Sequence, residues 1–182
     1  MWSTEYTAQA DLAPAVVWAA LRAQHEGTLT YEGADEFELH GPFAVGTRVS
    51  VTPEGQETFE STIVELVDGS VYADETIYGD LSLRFKYTLQ PDGTGTRLTH
   101  RLEIEGDPAD EVGPELGPQI AGDFPETMEQ LFAAAARGGS QRAGDVAHPE
   151  DRAAQAAGDS ALAEDDAEQS GVGAAQSEGT DA

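Results

Sequence analysis

The chain has 182 residues, of which 39% are hydrophobic, enough for one domain with a core of its own. Its formal net charge is −26, from 35 acidic and 9 basic residues. Nucleic acids and anionic membranes bind through clusters of Lys and Arg, so this balance argues against both as partners. The absence of cysteine excludes disulfides, thiolate zinc sites and cysteine nucleophiles. The start, MWSTEYTAQAD, has no basic segment or long apolar run, so we expect neither a signal peptide nor a membrane span, and a cytoplasmic protein.

The first elements are a strand and a helix. The segment STEYTAQA alternates apolar and polar residues and predicts a strand. In the following segment, DLAPAVVWAALRAQ, Pro14 suits the first turn of a helix, and Val17, Trp18 and Leu21 share one helical face. We therefore expect an amphipathic helix directly after the first strand.

Six further strands are predicted before the last helix. They are DEFELH, TRVSVT, TFESTIVELV, SVYADETIY, LSLRFKYTLQ and TRLTHRLEIEG. The connections between them are short, which indicates antiparallel neighbours in one sheet.

Turn residues predict how these strands pair. Asp68-Gly69 has the composition of a two-residue hairpin turn, which sets Ile63 opposite Asp74. Gly79-Asp80 does the same for the next hairpin and sets Asp74 opposite Phe85. For the last hairpin we expect a four-residue loop, residues 91–94, which places His100 opposite Phe85.

These registers give the sheet one mainly apolar inner face. It carries Phe59, Ser61, Ile63, Tyr72, Asp74, Thr76, Leu83, Phe85, Tyr87, Leu98, His100, Leu102 and Ile104. The other face of the middle strands then exposes four apolar residues, Val64, Leu66, Val71 and Ile77. Either they form a contact between two copies in a homodimer, or one register slips by a residue and turns Asp74 outward.

The C-terminal part contains the clearest helix and then a change of composition. The segment DFPETMEQLFAAAARGG has Phe124, Met128 and Leu131 along one face, and Gly138 is placed to follow its last turn. Prolines and glycines in the preceding segment, GDPADEVGPELGPQIAG, should break or kink any helix there. Residues 138–182 lack aromatic side chains and are rich in acids, so we expect a domain of residues 1–137 and a disordered acidic tail.

This order of elements resembles the START / polyketide cyclase-dehydrase superfamily, whose members are similar to the birch pollen allergen fold. The resemblance covers roughly residues 3–137 and depends on ADLAPAVVWAALR, GPFAVGTRVSV, LQPDGTGTRLTHRLE and the final helix. It implies an α+β helix-grip fold, in which a curved antiparallel sheet wraps around a long C-terminal helix and leaves a cavity for lipids, polyketides or other apolar molecules. It implies no common catalytic set.

Two polar residues on the inner face are candidates for chemistry. His100 lies between Leu98 and Leu102, where a histidine either completes the core by hydrogen bonding or acts as a general base or an orienting group for a ligand. Asp74, about 10 Å away by strand spacing, should be solvated in the cavity, paired or turned outward.

The remaining candidates form the expected cavity wall. We expect ligand contacts from Phe59, Ser61, Ile63, Tyr72, Thr76, Leu83, Phe85, Tyr87, Leu98, Leu102, Phe124, Met128 and Leu131. Ordinary core packing would explain the same pattern. On the outer face, Arg84, Lys86, Arg97 and Arg101 predict either a solvated set of ion pairs or a dock for the acidic tail.

No metal, phosphate or nucleophile motif stands out. The histidines His25, His40 and His148 are scattered without ligand spacing, and we expect no metal and no cofactor.

The main hypothesis is binding of an apolar or aromatic small molecule, lipid-like or polyketide-like, beneath the C-terminal helix. The alternatives are a cyclase or dehydrase that uses His100 and Asp74, and a protein-interaction module like the heat-shock ATPase activator domains.

Overall fold

The computed structural model describes residues 1–146 except 32 and 54. Met1–Gln141 form one compact unit, and of the residues that follow it only 142–146 are described. The strands are β1 (Trp2–Ala10), β2 (Glu36–Leu39), β3 (Arg48–Thr52), β4 (Phe59–Val67), β5 (Val71–Tyr78), β6 (Leu81–Asp92) and β7 (Gly95–Glu105). The helices are α1 (Pro14–His25), α2 (Ala109–Ile120) and α3 (Phe124–Val146), with a 3₁₀ turn at Ala121–Asp123.

The strands form one curved antiparallel sheet of seven members, in the order β1-β7-β6-β5-β4-β3-β2. Every strand from β2 to β7 pairs with its neighbour in sequence, as the short connections predicted. The exception is β1, which pairs with β7 and lies at the opposite edge from β2. The sheet and the long α3 are the α+β helix-grip architecture that we expected.

The turn between β5 and β6 has the predicted register. Tyr78 pairs with Leu81 across Gly79-Asp80, and Asp74 lies opposite Phe85. Gly79 has a φ of 59°, a left-handed conformation that the tight turn requires and that glycine adopts without a steric penalty.

The hairpin between β4 and β5 reaches the predicted Ile63–Asp74 pair by another route. Its loop has three residues, so that Val67 pairs with Val71, and a bulge between Ile63 and Glu65 restores the register. Asp74 therefore stays on the inner face. The bulge also turns Leu66 inward, where it packs against the core, so our expectation that Leu66 lies on the outer face was wrong.

The register that we predicted between β6 and β7 was wrong by two residues. The turn is the two-residue Gly93-Thr94 rather than a four-residue loop, because Asp92 pairs with Gly95 and Gly93 adopts a φ of 60°. His100 consequently lies opposite Tyr87, and Phe85 lies opposite Leu102. A shift of two residues preserves the faces, so His100 still points inward.

Helix α1 packs against the sheet through the core. Pro14 is its first residue, and Val17, Trp18 and Leu21 are buried, as the periodicity predicted. The Trp18 indole donates a hydrogen bond of 3.0 Å to Asp68 in the turn between β4 and β5. This bond ties the helix to the sheet.

The proline-rich segment is helical but separate from the last helix, as we expected. Pro114 and Pro118 lie within α2, and the 3₁₀ turn interrupts the path into α3. Helix α2 rests on β1 through Gly113 and Gly117, where added Cβ atoms would overlap with the Trp2 side chain. The two glycines, four residues apart, form a flat surface for the indole.

The last helix, α3, buries Phe124, Met128 and Leu131 against the sheet. It continues past Gly138, where we expected it to end, to Val146. Gly138 lacks the left-handed φ of a helix-ending glycine. The rest of the predicted disordered tail, residues 147–182, lies outside the described residues. No described helix is long and apolar enough to cross a membrane.

The outer face of the sheet carries ion pairs. Glu65 lies between Arg84 and Lys86, and Arg101 contacts Glu5 and Glu103. A fourth basic residue, Arg97, pairs with Asp92. All four predicted basic residues therefore meet acids of the sheet itself. Among the apolar residues expected on this face, Ile77 is 68% exposed.

Candidate functional site

A cavity of about 460 Å³ opens between the inner face of the sheet and the helices. Its volume is within the range of small-molecule sites in proteins. It is lined by Gln24, His25, Asp35, Phe37, Val51, Pro53, Gln56, Phe59, Asp74, Thr76, Tyr78, Leu83, Phe85, Tyr87, His100, Leu116, Gln119, Ile120, Asp123, Phe124 and Thr127. A second pocket, of about 360 Å³, shares Pro53 and Gln56 with the first. His25 and His100 line the first pocket but not the second.

His100 lies deep in the wall of this cavity. Its ring stacks between Tyr87, at a centroid distance of 3.9 Å, and Phe124, at 3.6 Å. The side chain is 5% exposed, and neither ring nitrogen has a hydrogen-bond partner among the described residues. Burial, assisted by the nearby His25, lowers the pKa of His100 well below its usual value, so the ring is neutral at pH 7. A neutral imidazole without partners offers one donor and one acceptor.

Asp74 is also deep in the cavity wall, and it is 4% exposed. Its carboxylate accepts a hydrogen bond of 2.7 Å from the Ser61 hydroxyl. Burial raises the pKa of Asp74 to about 6, against the opposing effect of Ser61. Burial raises the pKa of the Tyr72 hydroxyl well above its usual value, and the charge of the nearby Asp74 raises it further. This hydroxyl has no hydrogen bond of good geometry to a described residue. Asp74 is therefore paired, the second of the three outcomes that we expected.

Asp74 and His100 do not share a row of the sheet. The corrected register places His100 in the row of Tyr87 and Tyr72, whereas Asp74 lies in the row of Phe85 and Leu102. Both side chains line the same cavity, but from neighbouring rows.

A second histidine, His25, enters the cavity from the last turn of α1. Its Nδ1 donates a hydrogen bond of 2.8 Å to the carbonyl oxygen of Leu21, which places the proton of the neutral ring on Nδ1. Burial lowers the pKa of His25 to about 4, although this hydrogen bond opposes the shift. The ring packs on Phe37 and Tyr72, with centroid distances of 4.4 and 4.1 Å.

Two more carboxylates line the cavity, and both are less buried than Asp74. Asp35 is half-buried and precedes β2, and Asp123 is exposed and precedes α3. Burial and then the charge of Asp123 raise the pKa of Asp35 to about 6. Although Asp123 is exposed as a residue, partial burial of its carboxyl group also raises its pKa. Near them, the Tyr31 hydroxyl donates a hydrogen bond to the Gln24 side chain. Burial, and then the charge of Asp35, raise the pKa of Tyr31 to about 12.

The structure brings some of the predicted site residues to the cavity and places the others in the core. Those that line it are Phe59, Asp74, Thr76, Leu83, Phe85, Tyr87, His100 and Phe124. Those that pack in the core beside it are Ile63, Tyr72, Leu98, Leu102, Met128 and Leu131. Ser61 is buried and contacts the cavity only through Asp74.

Sequence reasoning missed the cavity residues that come from helix ends and loops. The sequence marks His25 only as a possible metal ligand, and Asp35 and Asp123 only as the first residues of the predicted strand DEFELH and of the last helical segment. The sequence does show an acid directly before a strand and another directly before a helix, but their convergence depends on the tertiary fold. Among the described residues, no group of three or more His, Asp or Glu could hold a metal ion.

Comparisons with known proteins agree with this architecture. No protein-family model and no curated protein matches the chain. Norcoclaurine synthase from Thalictrum flavum, solved with dopamine and hydroxybenzaldehyde, is 12% identical with a TM-score of 0.59, and the match covers 75% of this chain and 87% of that one. A protein of Mesorhizobium loti is 19% identical with a TM-score of 0.56, covering 75% and 98%. Ara h 8.0201 is 15% identical with a TM-score of 0.51, covering 74% and 94%.

These similarities define the class of the protein by its fold. The chain has the helix-grip fold of these solved structures, which is the fold that its sequence resemblance implied. At identities below 20%, the shared feature is the fold, and the function has to be inferred from the cavity of this chain.

Proposed function

We propose that the protein binds a small, largely apolar or aromatic molecule in the cavity between the sheet and α3. One observation carries the proposal: His100 is nearly fully buried in the cavity wall, and its two ring nitrogens have no partner among the described residues. A buried polar group without a partner destabilises a protein by about 1–3 kcal/mol, unless something hydrogen-bonds to it. A ligand that reaches His100 would satisfy this requirement.

The walls around His100 favour an aromatic or aliphatic body for that ligand. Phe59, Phe85, Tyr87, Leu83 and Phe124 line the same cavity. Apolar walls with a small number of polar groups are typical of sites that bind and orient small molecules. Norcoclaurine synthase, with its bound dopamine and hydroxybenzaldehyde, provides an example of small aromatic molecules on this fold.

Native mass spectrometry of freshly purified full-length protein tests the proposal. We expect a population heavier than the polypeptide by the mass of one small molecule, and this population should disappear under denaturing conditions. Thr127→Trp, at a residue that lines the cavity, should reduce the bound fraction, whereas Thr7→Trp, on the exposed part of β1, should leave it unchanged. Protein that carries no molecule and also fails to bind a neutral apolar fluorophore would refute the proposal.

A specific observation also favours an enzyme as the second candidate. Asp74 has a pKa raised to about 6 and lines the same cavity as the neutral His100, and perturbed acids and bases facing one cavity are typical of acid-base catalysis. Once the retained molecule is identified, incubation with it distinguishes the two functions. A carrier returns the molecule unchanged, whereas a cyclase or dehydrase converts it at a rate that Asp74→Asn lowers.

A further inference from the structure

The cavity contains negative charges without facing positive charges. Asp35, Asp74 and Asp123 line it, and no Lys or Arg does so among the side chains that the structure describes. The basic residues on the sheet form ion pairs on its outer face instead. Carboxylates in a partly desolvated site are unfavourable without a cationic partner, so this site favours a cation over an anion.

Asp35 interacts with both of the other carboxylates. The charge of Asp123 contributes to the raised pKa of Asp35, and the charge of Asp35 contributes to the raised pKa of Asp74. Asp35 is half-buried, between the buried Asp74 and the exposed Asp123 in accessibility. A positive charge beside Asp35 would therefore relieve repulsion on all three.

The histidines in the cavity do not supply that charge. Both His25 and His100 have lowered pKa values and are neutral at pH 7. His100 in addition is 5% exposed and has two ring nitrogens without a described partner. The unprotonated nitrogen of a neutral imidazole accepts hydrogen bonds, so His100 is suited to a ligand that carries N–H or O–H donors.

We propose that the ligand of this cavity is an apolar amine, whose protonated nitrogen binds beside Asp35 while its aromatic or aliphatic body lies against the apolar wall. This inference rests on the proposed function and names the class of ligand. Phe37, Phe59 and Tyr87 line the same wall, and aromatic rings attract cations that approach their electron-rich faces.

A matched pair of probes tests whether the cavity prefers a cationic ligand to a neutral one. 2-(1-Naphthyl)ethylamine and 2-(1-naphthyl)ethanol have the same ring and chain, and differ in that the amine is cationic at pH 7.5. Isothermal titration calorimetry of the full chain should show the amine binding about tenfold or more tightly than the alcohol, which corresponds to about 1.4 kcal/mol. The titrations should be made in about 0.15 M salt, since screening reduces the general attraction between a cation and this acidic chain.

Substitutions of single carboxylates test where the amine nitrogen binds. Asp35→Asn should remove most of the preference for the amine, and Asp123→Asn, at an exposed position that tolerates change, should reduce it. Asp80→Asn, in the exposed turn between β5 and β6, changes the net charge equally and should leave the preference intact.

The other possible results would overturn different parts of the proposal. Equal binding of the alcohol and the amine would overturn the amine inference and leave the proposed function standing. Failure of both probes to bind would overturn both. A preference that all three substitutions lower equally would show attraction to the acidic surface in general, and would overturn the site beside Asp35.

Discussion

The ring of His100 on β7 stacks on the ring of Phe124 at the first position of α3, with centroids 3.6 Å apart. This contact joins the sheet to the helix that covers it, and it forms part of the cavity wall. The same residue thus contributes to packing through its ring face and to the site through its nitrogens. The two contributions can be separated, because a leucine retains apolar packing and removes the nitrogens.

The titration of Asp74 should be visible as a dependence of stability on pH. Its pKa is about 6 in the folded chain, against 3.8 for the free side chain. The folded state therefore holds the Asp74 proton more tightly, so Asp74 favours folding at low pH and this contribution is lost as the pH rises from about 4 to 6. His25 acts in the opposite direction, since its pKa falls from 6.5 to about 4 and its contribution is lost as the pH falls.

Asp74→Asn separates these opposing effects. The unfolding free energy of the variant minus that of wild type should increase by about 1–2 kcal/mol from pH 5 to pH 7.5. The reason is that the substitution removes a buried charge that wild type carries only at the higher pH. Urea unfolding at the two pH values measures this difference, and the exposed Asp80→Asn should show none. A difference from wild type that is the same at pH 5 and 7.5 would contradict the raised pKa.

Gly117→Ala should destabilise the protein, although alanine is the better helix former. The added Cβ would overlap with the ring of Trp2, and overpacking of this kind costs about 1–3 kcal/mol. Gly138→Ala is the matched control in α3, where no atom lies within 4 Å of the added Cβ, and it should stabilise by up to about 1 kcal/mol. Thermal unfolding of both variants measures these two changes in stability. An unchanged or higher melting temperature for Gly117→Ala would show that Trp2 does not rest on this surface.

How the acidic tail relates to the domain remains a prediction, since residues 147–182 lie outside the described part of the chain. Because they lack core-forming residues, a chain that ends at Val146, the last residue of α3, should melt at the temperature of the full-length protein. Differential scanning calorimetry of the two chains gives the comparison. A fall of more than a few degrees would show that the tail packs on the domain.

The inner face of the sheet could be predicted from the sequence because it depends on a period of two. Any register error of two residues, such as that of the β6–β7 hairpin, leaves His100 on the same face. The bulge between Ile63 and Glu65 could not be predicted, since it results from the way that β4 fits β5 rather than from a local turn signal. It nevertheless decides that Leu66 packs inward.

The cavity was less predictable than the sheet. The strand residues His100 and Asp74 follow from alternation, but His25, Asp35 and Asp123 come from a helix end and two connections. No periodicity relates these segments to one another. Their positions around one cavity follow from the packing of α1, α2 and α3 on the sheet, which a single sequence does not specify.

The affinity of a neutral fluorophore for His100→Leu tests the central claim most directly. Prodan, an apolar naphthalene with one carbonyl acceptor, should bind the wild-type cavity and lose about 1–3 kcal/mol of binding free energy in the variant, whose melting temperature without ligand should not fall because the variant lacks the unpartnered nitrogens. Leu98→Val, in the core beside the cavity, should behave in the opposite way, with stability lowered by about 1 kcal/mol and affinity unchanged. If His100→Leu instead lowers the melting temperature and leaves prodan affinity unchanged, His100 serves the core alone, and the account of the cavity as a site organised around it is wrong.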